Sequence, residues 1–273
     1  MSFPKIMALV TVLTRDPQVL QAVQGPLLGA HSVAATRSWE RMSLLVRERP
    51  ATAVVLDSGA LPEHVAEDAA VGDLRRRYPS LALVFVVRPG ADPVSLFRLG
   101  RAGLGNLVLL PAGALASDVA RAIRSVLLNG TGALVTRAMS SYVPSRESTA
   151  IRFALEAVQR GWATEELAAR LGLTRPHLSV RLGRAGLPSA GHLLIWAKLL
   201  HAGRWLTDPG RSAESISRQL EYSSGAAFRR ALRTCVGATP TEVKERGGLR
   251  FVLRRFLDAC GLGGSVVIDR SVA

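Results

Sequence analysis

The side chains best equipped for chemistry in this chain are arginines set at helical spacing. In the segment running from Ser223 to Thr234, Phe228 and Leu232 stand four residues apart and share one helix face. Arg229, Arg230 and Arg233 are left to face outward. Guanidinium groups presented on an exposed short helix suit the phosphate oxygens of a polyanion. A second cluster precedes it, with Leu178 and Leu182 as anchors and Thr174, Arg175, His177, Arg181 and Arg184 around them. The two clusters differ in what they offer a base edge. Ser223, Ser224, Ala226 and Ala227 open the later helix, and next to Gly225 the two alanines supply no side-chain hydrogen bonds, although alanine can touch a thymine methyl. The later arginines therefore read as phosphate clamps, and base reading falls to Arg175, His177 and Arg181.

Other chemistry is hard to place. No nucleophile–base pair, metal-ligand cluster or phosphate-binding glycine loop is apparent, so no catalysis, cofactor or metal is expected. Cys235 and Cys260 lack CxxC spacing and read as small core residues in a reducing, cytoplasmic setting. His31, His64, His192 and His201 read as packing residues. The apolar run from Ile6 to Leu13 is too short to cross a bilayer and reads as a buried strand.

Charge divides the chain. The 273 residues carry a formal net charge of +14. Residues 1–130 hold 14 Lys/Arg and 10 Asp/Glu, whereas residues 131–273 hold 21 and 11. A basic excess concentrated in one half favours a nucleic-acid partner for that half.

The elements that position these residues fall into two domains. Over 1–130, apolar runs at 5–13, 30–35, 52–56, 82–87 and 106–110 alternate with helical patterns at 17–24, 38–49, 63–77, 92–101 and 114–128. Strands so uniformly apolar predict an α/β domain with a five-stranded, doubly wound parallel sheet. Its ligand-binding edge lies beyond the carboxyl ends of the strands, at Thr14, Arg15, Asp16, Asp57, Arg88 and Leu110. Turn-forming residues then predict a loop-like linker over 131–149, after Asn129-Gly130-Thr131-Gly132. An all-α domain is expected over 150–245, and an amphipathic helix and tail over 246–273.

Val54-Val55-Leu56-Asp57 and the segment Ala102 to Pro111 resemble the receiver domain of bacterial response regulators, over residues 4–128. The resemblance implies that Asp57 stands at the phosphoacceptor position. The surrounding chemistry departs from the family. Thr14 and Arg15 stand where an acidic pair would hold magnesium, Val87 or Arg88 where a Ser/Thr is needed, and Leu110 where a lysine is needed. Losing carboxylates and gaining arginine disfavours a divalent cation. The expectation is a pseudo-receiver in which Asp57 pairs with Arg15 or Arg88 and magnesium-dependent phosphorylation does not occur.

In the second domain a first helix is expected at about 149–160, and the next begins at Thr164 as N-cap candidate. Gly172 serves as a left-handed stop, Thr174 as the following cap, and a long helix spans about 190–206. Two helix-turn-helix units result. Glu166-Leu167-Ala168 with Leu171-Gly172-Leu173-Thr174, Lys198 with Ala202 and Leu206, Ile216 with Leu220, Tyr222-Ser223-Ser224, Phe228 and Gly237 to Glu242 resemble the AraC/XylS family of transcription regulators, over 150–244. That resemblance implies two-site DNA contact. Glu221 replaces the glycine usual in the family before the last recognition helix, and Leu187-Pro188 stands where glycine and a hydrophobic residue are usual. Beyond it, Leu249, Val252, Leu253, Phe256, Leu257 and Cys260 line one helical face, which favours docking on this domain over membrane binding and leaves a dimer contact open.

The expected function is a sequence-specific bacterial DNA-binding transcription regulator, with double-stranded promoter DNA as partner. A homodimer through the first domain and contact with RNA polymerase stay open. Two alternatives are a sensor binding a small anion through Arg15 and Arg88, and a protein-binding adaptor.

Overall fold

The computed structural model describes residues 9–27, 31–49, 51–61, 69–87, 107–109, 116–140 and 142–263. They form two compact units that part between Leu128 and Asn129. In the first unit, strands β1 (Leu9–Leu13), β2 (Ser32–Thr36), β3 (Ala53–Asp57), β4 (Ala82–Val87) and β5 (Leu107–Leu109) pair in parallel in the order β2-β1-β3-β4-β5. Strand alternation divides the core. Val54, Leu56 and Phe85 pack on one side with Met42 and Val46 of helix α2 (Trp39–Glu48) and Leu74 of α3 (Ala69–Arg77). Val55, Val84 and Val86 pack on the other with Val19 and Val23 of α1 (Pro17–Leu27) and Ile123 of α4 (Ala116–Met139). β3 is buried along its whole length, while β2 lies at the sheet edge and is half exposed, unlike the fully buried strand its composition suggests. The expected helix at 92–101, along with Arg88 and Leu110, lies outside the described residues.

The loop expected across 131–149 is largely helical. α4 continues to Met139, and α5 spans Ser145–Arg160, four residues longer at its start than its pattern suggests. The turn-forming pair Gly130 and Gly132 sits inside α4. Val135 and Met139 are fully buried in the helical core, and that burial overrides local turn preference. A Cβ at Gly130 would stand 2.7 Å from the tip of the flexible Arg204 side chain.

The second unit continues with α6 (Thr164–Arg170), α7 (Arg175–Arg184), α8 (Ala190–Trp205), α9 (Ala213–Gln219), α10 (Gly225–Val236), α11 (Pro240–Glu245) and α12 (Leu249–Ala259). α8 is its hub, burying Leu193, Trp196, Leu200, His201 and Trp205. α12 completes the core with Val252, Leu253, Phe256 and Leu257, and the Phe256 ring meets Trp196 at 5.3 Å between centroids. The Arg211–Asp208 ion pair, 3.2 Å long and almost wholly buried, fixes the connection from α8 to α9.

Candidate nucleic-acid interface

Two helix pairs share one construction. α6 is followed by a turn over 171–174 and then α7; α9 is followed by a turn over 220–224 and then α10. Leu167 and Ala168 of α6 are buried with Leu178 and Leu182 of α7, and Ile216 of α9 is buried with Phe228 and Leu232 of α10. The second residue of each turn is left-handed: Gly172 has φ 68° and Glu221 has φ 55°. Glu221 is thus held in the conformation that favours glycine, at a cost on the order of 1 kcal/mol.

The caps differ from one helix to the next. Ala163, not Thr164, takes the N-cap position of α6, because helical backbone already begins at Thr164. Glu165 and Glu166 still lie in its first turn, where the helix dipole favours negative charge. Thr174 is the N-cap residue of α7 by backbone geometry, but its side chain makes no capping hydrogen bond. Ser224 caps α10 through its side chain, which accepts from the Ala227 amide at 3.1 Å. That hydroxyl is therefore engaged in helix formation, whereas Ser223 is exposed. Gly225 is buried, and a Cβ there would collide with the Glu214 carboxylate of α9.

On α10, Ala226, Arg230 and Arg233 follow one another at i, i+4 and i+7 and share the outer face, with Arg229 beside them and Ala227 half-buried. The three arginines are exposed and form no salt bridge with a described residue. On α7, Arg175, His177 and Arg184 are exposed. Arg175 meets Glu165 at 3.1 Å, a pair so solvated that it binds Arg175 only weakly.

Arg181 is placed differently from the expectation that it reads bases. Its Nε donates to Glu147 Oε1 of α5 at 3.1 Å, and Glu147 is only 12 % exposed. Four residues on from His177, it lies on the flank of α7 that turns toward α5. The sequence held no sign of this, because Glu147 lies 34 residues earlier.

Residues 167–246 match a helix-turn-helix domain family. The match begins within α6 and runs through α7, α8, α9, α10 and α11. A search of curated protein sequences finds no significant match. Among solved structures the chain is similar to RcsB from Salmonella enterica serovar Typhimurium bound to promoter rprA in the presence of a phosphomimetic. That likeness has 17% identity and a TM-score of 0.34 and covers 68% of this chain and 97% of that one. It is also similar to the xylose-binding transcription activator XylR, at 12% identity and TM-score 0.35, covering 89% and 71% of the respective chains.

Among the described strand-end residues, Thr14 meets Asp57. Asp57 is fully buried; Thr14 Oγ1 donates to its Oδ2 at 2.6 Å, and the Gly59 amide donates to its Oδ1 at 3.1 Å. The expected pairing with Arg15 does not form. Thr14 turns inward beyond the end of β1, so the next residue turns out, and Arg15 is exposed. Asp16 instead holds the start of α1, its Oδ1 accepting from the Gln18 amide at 2.7 Å.

His201 is fully buried in the helical unit. Burial pushes its imidazole down to about 4, against a smaller upward effect of the Leu155 carbonyl and a further lowering by Arg204. The Nε2 proton is donated to Leu155 O at 3.0 Å. No group of His, Cys, Asp or Glu suited to a metal occurs among the described residues, and no described helix is long and apolar enough to cross a membrane.

Proposed function

We propose that this chain is a sequence-specific DNA-binding transcription regulator whose helical unit makes two contacts with a promoter, in the manner of the AraC/XylS family. The observation that carries the reading is the repeated helix pair, each with a second helix that sets arginines on its outer face. α8 joins the pairs with 16 residues, a rod of ~24 Å. α10, with alanines at its exposed start and Arg229, Arg230 and Arg233 beyond them, clamps phosphates. α7 enters the major groove and reads bases, with Arg175 and Arg184 holding the flanking phosphates. The first unit is a degenerate receiver-like domain that regulates or dimerises without magnesium-dependent aspartyl phosphorylation. The hydrogen-bonded, buried state of Asp57 supports that part.

Fluorescence anisotropy with duplexes enriched from a randomised pool tests the reading. Affinity should fall steeply with salt, and replacing Arg229, Arg230 and Arg233 together by alanine should weaken every duplex and flatten the log–log slope by about 2–3 units. Binding that ignores salt, or a triple variant with the wild-type slope, would refute it.

A further inference from the structure

The outer crest of α7 carries an apolar residue that the fold does not use. Leu178 and Leu182 are buried, and the opposite line of the helix passes through Val180. Val180 is 54% exposed and is the one large hydrophobic side chain in the open among the described residues. A β-branched residue there lowers helix propensity and leaves more than half of its surface in water outside the core cluster, so stability does not explain it. Its neighbours on the same crest are His177 one turn before and Arg184 one turn after, both exposed. Gly183 beside it is exposed too, and a Cβ there would meet nothing within 4 Å. The crest therefore combines a low profile, one apolar knob and flanking cations.

We propose that Val180 is a specificity-determining residue that packs against the 5-methyl group of a thymine in the major groove. The inference rests on the DNA-binding reading. Arg184 and Arg175 supply the attraction to phosphate that seats the helix, and Gly183 lets it approach closely. On the groove floor the thymine methyl is the apolar feature that distinguishes one base pair from another. An isopropyl group cannot exchange hydrogen bonds with guanine, cytosine or adenine edges, and facing them it leaves their polar groups unpaired. With Arg181 engaged by Glu147, Val180 takes the central position on the reading face.

The full chain is used to enrich a duplex from a randomised pool. That duplex is then resynthesised with each thymine replaced singly by deoxyuridine, which deletes only the methyl. At one thymine or more the wild type should lose about 3- to 5-fold in affinity, the worth of one buried methyl. Val180→Ala should bind the thymine and deoxyuridine duplexes equally at that position, while melting no lower than wild type. If Val180→Ala suffers the same deoxyuridine penalties as wild type at every position, Val180 reads no methyl and the inference falls alone. If no duplex is enriched, the inference and the DNA-binding reading fall together.

Discussion

Replacing Arg181 by alanine separates a structural arginine from a base-reading one. Its Nε lies 3.1 Å from Glu147 Oε1; the arginine is 34 % and the glutamate 12 % exposed. A fully exposed pair of this length contributes about 0.2–1 kcal/mol, and a hydrogen bond to a charged group about 1.5–3 kcal/mol. With one partner well covered and the other a third open to screening, about 1–2 kcal/mol is expected. Arg181→Ala should therefore lower the urea midpoint of the helical unit, or its melting temperature by roughly 3–8 °C. Glu147→Ala should do much the same. The double variant should lose less than the sum of the two, with a coupling of about 1 kcal/mol. Measured at a temperature where all variants are folded, the order of preference among enriched duplexes should stay as in wild type. An Arg181→Ala protein that unfolds normally yet discriminates less between duplexes would refute the reasoning and return Arg181 to the base-reading face.

Further outcomes are expected elsewhere. Gly203→Ala gains roughly 1 kcal/mol of helix propensity, but its Cβ would stand 2.8 Å from Val252 Cγ2 and 3.2 Å from the Gly248 carbonyl and Leu249 Cα. Overpacking of about 1–3 kcal/mol should win, giving a lower urea midpoint; a raised midpoint would contradict the close packing of α8 on α12. His201 has its folded-state pKa lowered from 6.5 to about 4. Between those values the unfolded chain binds more protons, so the contribution is complete above 6.5 and is lost as pH falls toward 4, on the order of 3 kcal/mol. Melting curves from pH 7.5 to 4.5 should show this slope, flattened in His201→Phe; an unaltered slope in that variant would reject His201 as its source. Incubation with acetyl phosphate and magnesium should leave the intact mass unchanged. A stoichiometric phosphate adduct lost in Asp57→Asn would overturn the reading of the first unit as a domain that is not phosphorylated by this route.

Much of the architecture was legible because it rests on short-range rules. Strand alternation along Val54, Val55 and Leu56 needs only the two-residue period of a pleated chain. The left-handed stop at Gly172, and its equivalent at Glu221, follow from how a helix must end before another can begin. The outward set of Arg229, Arg230 and Arg233 follows from Phe228 and Leu232 four residues apart. Local reading failed where distant partners outweighed local preference. Gly130 and Gly132 announce a turn, but buried Val135 and Met139 keep the chain helical.

The sequence by itself determined the local elements, the basic character of the second unit and the placement of arginines on helix faces, because those depend on residues within one or two turns. Only the tertiary structure decided which cations stay free for a polyanion. Glu147 reaches Arg181 across 34 residues, and Thr14 reaches Asp57 across 43. Chain closure over such separations is set by the packing of whole helices and strands, and no local period encodes it.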